Sequence, residues 1–258
     1  MLLLSLSASP ARGIGVTCDY TQSDHKVKIV MTGGSNALIR RDIADRIRVN
    51  DVQCDRMATV YNTDTIYVFA GAGTQFVTFS LSQGGFKPGF TDERGASDEI
   101  EISVSLGPDP DSLHIYGNDP YVDHIRIGKS TGFAVLGKIN LNSNEATGID
   151  ADLTMIIGVE ERIVLGRGGD DDISGAGGAG TGDPADFLLK LSGGQGDDQI
   201  TGSAVKDSLI DHDGADVIQG LGGPDVIDVA DGNGGDQIFG GSGDDLCNFD
   251  AGDSVTNC

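Results

Sequence analysis

The C-terminal third of this chain repeats a nine-residue unit that no single copy can fold. In register the units are GRGGDDDIS from Gly166, GGQGDDQIT from Gly193, GSAVKDSLI from Gly202, DHDGADVIQ from Asp211, GLGGPDVID from Gly220, DGNGGDQIF from Asp231 and GGSGDDLCN from Gly240. Position six is always aspartate: Asp171, Asp198, Asp207, Asp216, Asp225, Asp236 and Asp245. Position eight is always apolar: Ile173, Ile200, Leu209, Ile218, Ile227, Ile238 and Cys247. With one inward side chain a unit buries almost nothing, so stability requires several units stacked on a shared core.

Six turn-forming residues followed by three strand residues reverse the chain, because glycine permits the positive-φ conformations of a tight loop. Two units then make an 18-residue turn of a flattened coil. Loops two units apart stack at the strand spacing of about 4.8 Å. The expected columns are Asp198, Asp216 and Asp236 on one side, and Asp207, Asp225 and Asp245 on the other. Two such charges about 5 Å apart repel by about 3 kcal/mol at an effective dielectric of 20. A cation between successive loops removes that repulsion. Carboxylates and turned-in carbonyls form an all-oxygen donor set without thiolate or imidazole, which points to Ca²⁺ before Mg²⁺ or Zn²⁺. No site exists before the turns stack, so binding and folding are coupled.

Upstream the unit decays but can be followed. AGAGTQFVT from Ala70 keeps Val77, with Gln75 where aspartate would stand; LGPDPDSLH from Leu106 keeps Asp111 and Leu113; NDPYVDHIR from Asn118 keeps Asp123 and Ile125. Alternating segments KVKIVM, TIYVFA, QFVTFSL, EIEISVSL and KINLN predict strands throughout. NALIRRDIADRI, residues 36–47, is either one helical turn at most or two strands. SGAGGAGTGDPADF, residues 174–187, is expected to bulge from the stack as a loop with nothing buried.

The formal charge of −23, from 40 acidic and 17 basic residues, repels nucleic acid and anionic membranes and attracts cations. No apolar run approaches a membrane span. MLLLSLSASPARG opens with a short apolar run and a small-x-small pattern at Ser9–Ala11, so residues 1–13 are expected to be a signal-peptide remnant of a secreted protein. Cys18, Cys54, Cys247 and Cys258 form one pair near each end. Of three connectivities, Cys18–Cys54 and Cys247–Cys258 are favoured because they close the shorter loops. No pair has the spacing of a zinc site.

GGQGDDQIT and GGSGDDLCN resemble the nonapeptide G-G-x-G-x-D-x-U-x of the RTX, or haemolysin-type, calcium-binding repeats, and GRGGDDDIS, GLGGPDVID and DGNGGDQIF differ from it by one glycine. The resemblance covers residues 166–250 and implies a parallel β-roll with Ca²⁺ held by the position-six aspartate and by carbonyls of odd loop positions. Carried over, one column comprises Gly193, Gln195 and Asp198 with Asp211, Asp213, Ala215 and Asp216, then Asp231, Asn233, Gly235 and Asp236. The other comprises Gly220, Gly222, Asp225, Gly240, Ser242 and Asp245. Gly166, Gly168 and Asp171 of the first unit, with Asp197 and Asp207, complete the set. GSAVKDSLI departs by losing two glycines and placing Lys206 beside Asp207, and Val229–Ala230 is an insertion, so two to four ions are expected.

No H-E-x-x-H occurs among the four histidines. GKSTG, residues 128–132, joins strand to strand, where an esterase elbow needs strand to helix. Asp123, His124 and Arg126 could be read as a lyase constellation, although isolated charges on a strand are more often a solvated face, and positions seven and nine carry no threonine ladder. The expectation is a secreted, non-enzymatic, all-β protein, a parallel β-roll or β-helix solenoid. Its lead-in is a degenerate solenoid over 14–165, followed by a calcium-binding roll over 166–250 and a cap over 251–258. Any cell-surface or polysaccharide partner is unspecified. The alternative is a carbohydrate-active or other hydrolytic protein acting through residues 60–160.

Overall fold

The structure is a computed structural model that describes residues 11–13, 15–87, 89–91, 99–131, 136–141 and 151–258. It is all-β, and among the described residues the only helical element is a 3-10 turn at Cys54–Arg56. Two mostly parallel sheets carry the strands, and the chain passes from one sheet to the other and back. This path is compatible with a β-solenoid.

One sheet runs from Ala11–Gly13 through Lys26–Met31, Thr65–Ala70, Glu101–Ser105 and His124–Lys129 to the short strands Asp172–Ser174, Gln199–Thr201, Val217–Gln219, Gln237–Phe239 and Ser254–Thr256. The other runs from Asn36–Arg41 through Phe76–Ser80, Ser112–Tyr116, Glu161–Gly168 and Lys190–Gln195 to Ser208–Ile210, Val226–Asp228 and Leu246–Asn248. Strands alternate buried and exposed residues, and the buried ones form one hydrophobic core from Val16 to Ile238. In the first sheet Ile125, Ile173, Ile200, Ile218, Ile238 and Val255 stack in parallel register. In the second, Leu191, Leu209, Ile227 and Cys247 do the same. These ladders are the position-eight residues, joined by Leu191 and Val255, and burying an apolar side chain fully stabilises by about 1.5–3 kcal/mol relative to leaving it exposed.

Residues 36–47 take the two-strand alternative. Asn36–Arg41 pairs antiparallel with Ile47–Val49, and Ala37, Ile39, Ile47 and Val49 are all buried. Period-two burial decides against a helix here, which would have turned some of these four outward. One expectation needs correction. Residues 174–187 do not bulge with nothing buried: Thr181 and Ala185 are fully buried, and Asp183–Pro184 pairs antiparallel with Gly128–Lys129. This excursion lengthens one turn, yet Ile173 still lands on Ile200. Of residues 1–13, Ala11–Gly13 pairs antiparallel with Val16–Cys18. Residues 1–10 lie outside the described residues.

Both favoured disulfides are present, Cys18–Cys54 with Cα atoms 5.1 Å apart and Cys247–Cys258 with Cα atoms 5.9 Å apart. The first joins adjacent elements at the N-terminal end of the core, and the second closes the last turn. No described helix is long and apolar enough to cross a membrane.

Candidate metal centre

Each position-six aspartate sits where a loop enters a strand, and its two carboxylate oxygens do different things. One oxygen accepts a hydrogen bond from the backbone amide of the aspartate one turn earlier. In the first column the amides of Asp123, Asp171, Asp198 and Asp216 donate to Oδ1 of Asp171, Asp198, Asp216 and Asp236, over 2.6, 2.5, 2.8 and 2.8 Å. In the second, Leu189, Asp207 and Asp225 donate to Asp207, Asp225 and Asp245 over 2.9, 2.8 and 2.9 Å. Asp236 therefore follows Asp216, and Asp245 follows Asp225, although Asp236 and Asp245 are nearer in sequence.

The other oxygen, Oδ2, is buried without a hydrogen-bond partner in Asp171, Asp198, Asp225 and Asp245. An unpaired buried carboxylate oxygen is costly. The same oxygen explains the position-one glycines. A Cβ on Gly166 would lie 2.1 Å from Asp171 Oδ2, one on Gly220 2.4 Å from Asp225 Oδ2, and one on Gly240 2.7 Å from Asp245 Oδ2. Glycine leaves the space that the carboxylate occupies.

The tightest convergence is Asp198, Asp211 and Asp216, whose nearest carboxylate oxygens lie within 4.8 Å of one another and whose side chains are buried. Asp211 is cupped by the amides of Gly193 and Gly194, at 3.1 and 3.2 Å. A Cβ on Gly193 would lie 2.1 Å from Asp198 Oδ2 and 2.3 Å from Asp211 Oδ2, so both oxygens converge on one point. Neither ionised group has a hydrogen to offer the other. A shared proton, a bridging donor or a cation would relieve the contact between them.

Burial is the largest reason that Asp171, Asp216 and Asp225 are pushed up to about 7, and neighbouring carboxylates add to it. Asp198 and Asp211 are raised too, burial first; the charges of Asp171 and Asp216 add to the rise at Asp198, and that of Asp198 to the rise at Asp211. Asp207 and Asp236 are also raised, chiefly by burial.

The remaining candidates are placed unevenly. The carbonyls of Gln195, Asp213 and Ser242 accept the amides of Gly169, Gly196 and Gly223. Asp197 accepts the Ala215 amide at 2.9 Å and donates its own to Asp170, which makes a second, outer ladder. Gly168 lies beside Asp119, and Gly222 bridges to Ser242. Asp207 lacks an orphaned oxygen, because its Oδ2 accepts the Ser203 amide at 2.5 Å. Asp231 turns back onto Asn233, at 2.6 Å from its amide, and does not repeat the part of Asp211. The Val229–Ala230 insertion moves it out of place. Instead Asp253 Oδ1 accepts the amides of Gly235 and Asp236 at 3.0 and 3.2 Å. Sequence reasoning missed Asp253, although Asp253-Ser254-Val255 repeats the D-x-U signature, because only Gly252 remains of the loop before it.

The lead-in presents a different arrangement. Arg126 is held by Asp172 through two 2.7 Å hydrogen bonds, and His124 Nδ1 lies 3.8 Å from the same carboxylate. A cavity of about 220 Å³ is lined instead by Glu99, Asp123, His124 and Asp152, with Lys87 and Phe86. Burial first, then the adjacent Glu99 carboxyl, raises Asp152 well above the usual carboxylate range. Ser130 of GKSTG closes a hairpin, its Oγ accepting the Leu136 amide at 2.9 Å.

Comparison with known protein families, with curated proteins and with solved structures finds no match to this chain.

Proposed function

We propose that this is a secreted, non-enzymatic calcium-binding protein of RTX type, whose glycine- and aspartate-rich turns hold Ca²⁺ between stacked loops and become rigid on binding. The observation that carries the reading is the set of orphaned Oδ2 atoms, above all the meeting of Asp198, Asp211 and Asp216 around one gap. The donors are all oxygen, they come from two successive turns, and their charge is uncompensated by any described lysine or arginine. A hard divalent cation accepting six to eight oxygens fits that set, with carbonyls and water completing the shell. Asp171 with Asp198, Asp198 with Asp211 and Asp216, and Asp225 with Asp245 are the steps expected to hold ions, consistent with two to four in all. Two disulfides are compatible with an oxidising, extracellular setting. Isothermal titration with CaCl₂, paired with circular dichroism before and after chelation, tests the proposal. Saturable binding of two or more equivalents with a gain of ordered β structure is expected, and the absence of any binding would overturn it.

The cavity favours a second reading, in which the lead-in acts on a carbohydrate. A carboxyl pair in which burial and the adjacent Glu99 push Asp152 up has the makings of a general acid and base. Release of reducing sugar from a polysaccharide panel, lost in Glu99→Gln, would raise this reading above the first.

A further inference from the structure

In a chain with 40 acidic residues, one arginine is turned towards the core without a carboxylate partner. Arg162 lies in register with Leu113, which is buried, and Val164 two residues on is buried as well, so strand alternation places Arg162 on the core side. The acids nearby are engaged elsewhere. Asp186 is held by Lys129 at 2.6 Å, Glu161 pairs with Lys190, and Glu160 Oε2 accepts the Asp111 amide at 2.9 Å. What holds Arg162 is weaker: one nitrogen donates to the Glu160 carbonyl at 3.2 Å, and the guanidinium lies over the Phe187 ring, 4.2 Å from its centroid. Its Nε is buried and has no acceptor.

A cation withdrawn from water without an ion pair is costly. Burial lowers Arg162 below the usual arginine range, and the charges of Glu160 and Asp186 only partly oppose that. The same arginine lines a cavity of about 280 Å³, at the small end of ligand pockets, whose other walls are largely apolar. Met155 and Phe187 meet there at Gly137, where a Cβ would lie 2.3 Å from Met155 Cε and 3.3 Å from the Phe187 ring. At the mouth, the pairing of Leu153–Ile157 with Glu101–Ser105 slips between Met155 and Ile157. That irregularity breaks the alternation and leaves two adjacent apolar side chains outward, Ile156 at 46% and Ile157 at 64% exposure.

We propose that this cavity binds a small amphipathic carboxylate, its headgroup on the Arg162 guanidinium and its apolar part against Met155, Val159, Phe187 and Ile157. A planar guanidinium matches a carboxylate better than any other cationic side chain does, and the ligand supplies the negative charge that the chain withholds. The apolar walls exclude a fully hydrated anion, and the buried cation disfavours an amine. The site lies in the lead-in and uses none of the repeat aspartates.

The test is isothermal titration of the full chain with sodium octanoate, with octan-1-ol and sodium acetate as probes that keep only the tail or only the headgroup. One equivalent of octanoate is expected to bind, and each of the other two more weakly. Arg162→Met, which keeps an apolar stem and removes the charge, is expected to weaken octanoate about 10- to 100-fold, as for the loss of a hydrogen bond to a charged group. No binding by the wild-type protein at millimolar octanoate, or equal affinity in an Arg162→Met variant whose circular dichroism is that of the folded protein, overturns the proposal. Acetate binding as tightly as octanoate overturns the apolar half of the site, and octan-1-ol doing so overturns the charged half. Should Arg162→Met fail to fold, Ile157→Asp decides, because that position is exposed enough to accept the change. Its carboxylate in the mouth is expected to weaken octanoate at least tenfold, and an unchanged affinity overturns the site.

Discussion

Replacing Asp198 by asparagine separates a metal ligand from a mere hydrogen-bond acceptor. The asparagine keeps an Oδ1 for the Asp171 amide, which donates to Asp198 at 2.5 Å, and gains a hydrogen to offer Asp211. It also removes a charge whose partners Asp211 and Asp216 lie within 4.8 Å. At that separation each ionised pair repels by about 3.5 kcal/mol at an effective dielectric of 20. Protonation relieves part of this below about pH 8, so a net gain on the order of 2 kcal/mol is expected in EDTA at that pH, or a rise in thermal midpoint of about 4–8 °C. With calcium the sign reverses. A hundredfold excess over Kd stabilises the wild-type site by about 2.7 kcal/mol, and the variant forgoes that. The assay is differential scanning calorimetry of both proteins at pH 8, in EDTA and in millimolar calcium. Destabilisation of the same size in both buffers would refute the reasoning, because it would make Asp198 only a cap for the amide below it.

Other expectations follow from the same geometry. Gly193→Ala drives a Cβ into two carboxylate oxygens, so a loss of about 1–3 kcal/mol in urea unfolding is expected together with a weaker calcium response. Gly85→Ala, which meets nothing within 4 Å, leaves both unchanged. Asp207→Asn is expected to leave calcium stoichiometry intact, since both its oxygens already accept amides; a lost equivalent in titration would contradict this. Asp171, Asp216 and Asp225 have folded values of about 7 against about 4 when unfolded. The folded state then binds more protons, so without calcium the stability present near pH 4 is lost as pH rises towards 7. Urea midpoints in EDTA at pH 4.5 and 7.5 test that sign, and the difference should shrink in calcium.

The C-terminal stack was legible because one residue type recurs at each of two positions. Aspartate at six and an apolar residue at eight suffice to set register, and Ile200, Ile218 and Ile238 align as the spacing requires. Less legible was anything that depends on which oxygen meets which amide. Asp198 and Asp207 occupy the same place in the repeat, yet only Asp198 keeps an orphaned Oδ2, because Ser203 offers its amide to Asp207. Asp231 and Asp211 likewise share position one, and two inserted residues turn Asp231 onto Asn233. The excursion at 174–187 escaped because its glycines look unburiable. Thr181 and Ala185 are small enough to be packed against the neighbouring hairpin, and neighbours far along the chain decide that.

The ladder of amides also has a direction. The amides of Asp171, Asp198, Asp207, Asp216, Asp225 and Asp236 are each held by an aspartate of the turn that comes after, never of the one before. A growing chain therefore always exposes one uncapped amide and one incomplete carboxylate at its newest end, and each added turn repairs its predecessor. In the first column each aspartate from Asp123 onward waits on its successor, and the series ends on Asp253. Within that column Asp253 is made after the others, so the column settles only once it is in place.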